Sequence, residues 1–152
     1  MRKLVLFSLL GLSSLLFISS KQFTEAENTT IYGYWWSPEK ESKIKIYKAT
    51  SGKVCGKLSW IKEPNNDDGS AKKDVNNPDE DKRDTPLLNL VLLKNFNYEG
   101  DNKWEDGTIY DPRNGKNYSC TMTLSSDGNT LDIRGYVGFS FIGRTSQFTK
   151  VK

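Results

Sequence analysis

The sequence predicts an all-β domain: a single antiparallel up-and-down β-barrel of about eight strands. Three observations lead there. Short runs of residues alternate between apolar and polar with a period of two. Turn pairs such as Asn114-Gly115 and Asp127-Gly128, which supply the positive φ of tight hairpins, fall between those runs. No stretch beyond the N-terminal apolar segment sustains a helical period. The 152 residues suffice for one domain, and the four Trp, seven Tyr and seven Phe let a small core be built from few side chains. Closing the sheet into a barrel removes the adhesive edges that so many strands would otherwise expose.

The elements follow in order. Arg2 and Lys3 precede an apolar run from Leu4 to Phe17, then the small residues Ser19 and Ser20, then a polar stretch from Lys21. That succession is the pattern of a secretory signal peptide, and the apolar run falls short of the roughly 20 residues of a spanning helix. Residues 1–26 are therefore expected to be a signal peptide and short leader, cleaved after Ser20 or Ala26, and 27–152 the barrel domain. The protein is expected to be exported and not integral to the membrane after cleavage. Losing Arg2, Lys3 and Lys21 against Glu25 takes the formal net charge from +3 to about +1.

Strands are predicted over 31–36, 42–48, 53–61, 87–96, 103–110, 116–124, 130–136 and 144–151. In the second, Ile44 and Ile46 alternate with lysines; in the third, Val54, Leu58 and Trp60 share one parity; in the sixth, Tyr118, Cys120, Met122 and Leu124 do so. Residues 62–86 interrupt the series with three prolines and blocks of Asp, Asn, Lys and Arg. A connection of that length in a compact domain usually carries function.

Composition excludes much chemistry. The sequence has no His, which removes the Ser-His-Asp triad, the Cys-His pair, His-ligated zinc and an imidazole switch. Two Cys cannot form a four-thiolate site. A net charge of +3 without a basic cluster argues against nucleic acid as a partner. Aligning Gly69 to the central glycine of a helix-flanked calcium loop would put Pro64 and Val75 where oxygen donors belong. Asp74, Asp79, Asp106 and Asp111 supply carboxylates without any catalytic spacing, and Asp111-Pro112 with Asn114-Gly115 reads as a hairpin turn. The expectation is a non-enzymatic protein with no cofactor and no metal.

The long connection offers two readings. Asn77-Pro78 is a turn signal, because proline forces the residue before it out of the helical region. Asp74 and Arg83 can then pair as a staple across the loop base, or Asn77 and Arg83 can face a ligand at the barrel mouth, with Trp60, Trp104 and Tyr110 as flat apolar walls. Cys55 and Cys120 are a possible disulfide after export. Their parities differ, though, and a bulge at Gly56 would be needed to bring them to one face.

Several segments resemble a bacterial family known as domain of unknown function 2147. They are Gly33-Tyr34-Trp35, Cys55-Gly56-Lys57-Leu58-Ser59-Trp60, Asp74-Val75-Asn76-Asn77-Pro78-Asp79 with Arg83 and Pro86 to Leu90, Trp104 to Pro112 with Asn114 to Tyr118, and Arg134-Gly135 with Gly143-Arg144-Thr145. Phe148 and Lys150 depart from the Trp and Arg usual in that family, and Asn89 from its Gly. The resemblance implies a small exported lipocalin-like barrel of the bacterial periplasm or exterior, and no activity. In such barrels a Gly-x-Trp on the opening strand meets a basic side chain from the last, so Gly33 and Trp35 with Lys150 or Arg144 are expected to close one end. The function expected is binding of a small apolar or aromatic ligand. The alternative is an interaction module with a filled interior that docks a protein through loop 62–86.

Overall fold

The computed structural model describes residues 31–152, so the expected signal segment lies outside the described residues. Eight strands form one closed barrel in sequence order: β1 Gly33–Trp36, β2 Ser42–Lys48, β3 Val54–Ile61, β4 Val91–Gly100, β5 Lys103–Asp111, β6 Lys116–Leu124, β7 Thr130–Tyr136 and β8 Gly143–Lys150. Every neighbouring pair is antiparallel. The connections after β1, β3, β5 and β7 therefore share one end of the barrel, here the loop end. The turns after β2, β4 and β6 share the other with the start of β1 and the end of β8.

The fourth strand begins later than the sequence predicts, at Val91. Residues 87–90 form a turn instead, in which Leu90 N donates to Leu87 O and Asn89 N to Leu58 O. Asn89 adopts φ 71°, a left-handed conformation that Asn tolerates better than most residues and that explains why glycine suits this place.

Inside the barrel, side chains stack in rows fixed by the strand register. Leu124, Leu131 and Phe148 form the lowest row, and Trp104, Met122, Ile133 and Ser146 the next. With Trp35, Ile44, Ile46, Val54, Leu93 and Phe96 they make one continuous core. Phe96 lies flat on β5: a Cβ added to Gly107 would stand 2.4 Å from its ring atoms. The backbone irregularity that brings Gly107 there lies between Trp104 and Gly107, where Asp106 has φ 59°. The closed end is finished by the chain entering β1, where the buried Trp35 indole Nε1 donates to Ile31 O at 2.8 Å.

Candidate functional site

The parity expected of Trp60 fails, and the cause is local. Lys43 pairs with Trp60 and Ile44 with Leu58, so Ser59 is an extra residue in β3, pinned by its Oγ donating to Lys43 O at 3.0 Å. One inserted residue reverses the facing of everything beyond it. Trp60 therefore leaves the inner face and packs edge-on against Trp36, ring centroids 5.4 Å apart, with Lys43 Nζ 4.2 Å above the Trp36 ring. It is not a wall of the interior.

Trp104 also differs from its expected place. It opens β5, at the end opposite the long loop, and is wholly buried beside Met122 and Tyr98. Tyr110 closes β5 at the loop end, one residue past the inward Ile109, and so faces outward. The long connection covers it. The Tyr110 hydroxyl donates to Asp74 Oδ1 at 2.8 Å, and Asn77 Nδ2 donates to Asp74 Oδ2 at 2.7 Å. Asp74 is fully buried. Arg83 does not reach it: Arg83 Nε donates to Asn77 O at 2.9 Å and Nη1 meets Glu80 at 3.2 Å. The staple thus forms between Asp74 and Tyr110 rather than Asp74 and Arg83. Asn77 and Arg83 spend their polar atoms inside the loop instead of facing a ligand.

A second contact completes this clasp. Asn76 Nδ2 donates to Pro112 O and Arg113 O, both at 3.1 Å, and its own carbonyl packs on Gly115, where a Cβ would sit 1.9 Å from that oxygen. Gly115 also has φ 69°, so the turn after β5 needs glycine twice over. Two of the family-like segments, Asp74 to Asp79 and Trp104 to Tyr118, are therefore the two halves of one structural contact. Beside it runs an open groove of about 410 Å³ bordered by Lys72, Lys73, Val75, Asn76, Leu87 and Arg113. Its cations have partners: Lys73 meets Asp84 at 2.8 Å, Arg113 meets Asp111 at 2.8 Å and Lys72 meets Glu63 at 3.7 Å. The hydrogen bond from Arg113 holds the Asp111 carboxyl below its ordinary range.

At the closed end, Lys150 Nζ stands 5.2 Å above the Trp35 ring, and Lys150 pairs with Trp35 across the β1–β8 seam. Arg144 lies six residues earlier on β8, near the loop end, and takes no part there. Replacing Lys150 by Gln is expected to lower stability by about 0.5–2 kcal/mol in a urea melt, whereas Lys150→Arg is expected to retain it, because a planar guanidinium stacks on indole at least as well.

Above the packed rows the inner face changes character. Gly107 pairs with Cys120, Cys120 with Gly135 and Gly135 with Arg144, so this row of small residues is still packed at Gly107 and at the fully buried Cys120, is half-buried at Gly135 and ends at an exposed arginine. Ile109 and Tyr118 pair above it, both half-buried, and the nearest atoms to a Cβ on Gly135 would be Ile109 Cγ2 at 3.3 Å and Tyr118 Cβ at 3.8 Å. β8 pairs with β1 at its C-terminal end alone, through Thr149 and Lys150 with Val151 N donating to Tyr34 O at 2.9 Å, so its upper half, with Arg144 and Ser146 on the inward parity, has no ladder partner in β1. Of the two cations expected at the closed end, Lys150 is there and Arg144 lies at the loop end instead, and Gly135 carried no expected role. The alternation of β6 and β7 could have shown that Gly135 breaks an inward apolar series.

Cys55 and Cys120 are both free thiols. The register shifts near Gly56 fall so that β4, not β3, carries the extra residues, with Asn95 at φ 66°. The parity of Cys55 is not reset, and the possible disulfide does not form. Burial pushes the Cys120 thiol up to about 12. Among the described residues, no three His, Cys, Asp or Glu side chains gather as a metal-ligand set.

The closed eight-strand up-and-down barrel, with Lys150 over the ring of Trp35 on its opening strand, has a lipocalin-like fold. More particularly, the chain belongs to the bacterial family described as "Uncharacterized protein conserved in bacteria (DUF2147)", which matches residues 33–150. Among solved structures it is similar to protein HP1028 from the human pathogen Helicobacter pylori, described as belonging to the lipocalin family. The TM-score is 0.68 at 21% identity over 80% of this chain and 83% of that one. None of the curated proteins matches this chain.

Proposed function

We propose that the protein is an exported, non-enzymatic binding module that takes a small apolar or aromatic ligand, its polar end anionic, into the loop end of the barrel. One observation carries this reading: beyond the packed core, which ends at the fully buried Cys120, the inner face presents half-buried Gly135, Ile109 and Tyr118 and an exposed Arg144 on neighbouring strands. A shallow apolar seat with one placed cation suits an amphipathic molecule. The lipocalin-like neighbour supports binding over catalysis.

A panel of fatty acids and aromatic acids, with neutral counterparts, tests it through tryptophan fluorescence. Gly135→Leu is expected to abolish binding by filling the seat. Arg144→Gln is expected to weaken anionic ligands about tenfold or more while sparing neutral ones, as loss of a charged hydrogen bond implies. If no member binds, or if neither variant alters binding, the reading is lost. The tightly packed lower interior favours a second reading: a protein-interaction module docking through the 410 Å³ groove along loop 62–86. That outcome would show as protein capture abolished by substitutions at Lys72 and Val75.

A further inference from the structure

The connection between β7 and β8 is unlike the rest of the surface. Val137, Phe139, Phe141 and Ile142 are 69%, 68%, 76% and 61% exposed, and no charged residue falls between Tyr136 and Arg144. Exposed large apolar residues scattered singly need no explanation, but four within six positions do.

The tip is also built. The Phe139 and Phe141 rings stack with centroids 5.5 Å apart and planes 11° from parallel. Ile142 N donates to Phe139 O at 3.0 Å. The Arg134 guanidinium rises from β7 and donates from Nε to Ser140 O at 2.7 Å, from Nη2 to Phe141 O at 3.2 Å and from Nη1 to Thr145 Oγ1 at 2.9 Å. Two carbonyls at the apolar tip are thus satisfied from within. That matters wherever water is scarce, because an unpaired backbone carbonyl is costly in hydrocarbon.

We propose that loop 137–142 is a membrane-interface anchor that inserts its four apolar side chains into the headgroup and upper acyl region of an anionic bilayer. Charge favours this occupant: Lys103 and Arg134 border one groove with Ser140 and Phe141 of the tip, against the single carboxylate of Glu105, and the nearest other acid on β7, Asp132, already accepts from Gln147 Nε2 at 3.0 Å. Size favours it as well. Four side chains fall far short of the 20–30 residues that each partner contributes to a standard protein interface. Interfacial anchoring instead needs only some apolar area and attraction to anionic lipid.

The full chain is labelled with an environment-sensitive nitrobenzoxadiazole group at Ser140→Cys in the loop or at Ser51→Cys in the turn after β2, at the opposite end. Vesicles of phosphatidylcholine with phosphatidylglycerol are then added. The N-terminal residues are common to every variant, so the two label positions separate the loop from them. The label at 140 is expected to shift to the blue and to be quenched by brominated acyl chains, and the label at 51 is not. Phe139→Ser with Phe141→Ser is expected to lower vesicle partitioning on the order of tenfold or more, with the thermal melt unchanged, since both side chains are exposed. An unshifted label at 140 overturns the proposal, as does an equal shift at 51. A blue shift that grows with protein concentration in the absence of lipid overturns it in favour of a second copy of the chain. An equal response to vesicles of phosphatidylcholine alone overturns the anionic selectivity.

Discussion

Replacing Gly107 by Ala is expected to destabilise the barrel by about 1–3 kcal/mol, and Gly107→Val by more. The added Cβ would meet three Phe96 ring atoms at 2.4 Å, well inside any tolerated contact. Phe96 cannot swing away, because it is itself buried within the continuous core. Interiors packed to crystal density have no slack to absorb a methyl group. The β5 backbone would have to move, and β5 pairs with both β4 and β6. Urea or thermal melts of the two variants measure the loss. Combining Gly107→Ala with Phe96→Leu is expected to recover part of it, since the smaller side chain vacates the colliding volume. Full wild-type stability in Gly107→Ala alone would contradict the packing described.

Tyr110→Phe is expected to cost about 1.5–3 kcal/mol, because it removes a hydrogen bond to a buried carboxylate and leaves Asp74 with an unanswered oxygen. The loss falls on the clasp, so loop 62–90 should loosen before the barrel does. Trypsin should then cut more readily at Lys72, Lys73, Lys82 and Arg83, all within that connection. The pH dependence has a definite sign. Burial, followed by the bond to Asp74, pushes the Tyr110 phenol up from 10.0 to about 12. The folded state prefers the neutral phenol, so the contribution is fully present below about pH 10 and fades as pH rises through about 12. The stability gap between wild type and Tyr110→Phe should hold steady from about pH 7 to pH 9 and close in the alkaline range. A gap that stays constant above about pH 12 would show that the hydroxyl contributes nothing in its neutral form.

Much of this protein was legible in its sequence, and the reason is that the relevant signals are local. Period-two alternation in Ser42–Lys48 and Lys116–Leu124 needs only neighbouring residues to declare one wet face and one dry face. Asn114-Gly115 and Asp127-Gly128 need only their own φ preferences to declare turns. Eight such runs in antiparallel succession leave few architectures other than a barrel. The closure contact of the Gly33-x-Trp35 opening was implied by the family resemblance and not by local pattern, and the choice of Lys150 over Arg144 depended on which end of β8 meets β1.

What only the tertiary structure decided are the places where a single backbone irregularity or a distant partner reassigns a side chain. Ser59 as an extra residue turns Trp60 outward, and the irregularity at Asp106 sets Gly107 beneath Phe96. Alternation records parity but cannot register an insertion of one. Asp74 reads as a loop acid until Tyr110, 36 residues later, buries it, and Arg83 reads as its partner until that role is taken. The sequence determined the faces and the turns because those are set by adjacent residues. The fold decided which residues meet, because contacts across the barrel depend on register and on chain ends brought together only by closure.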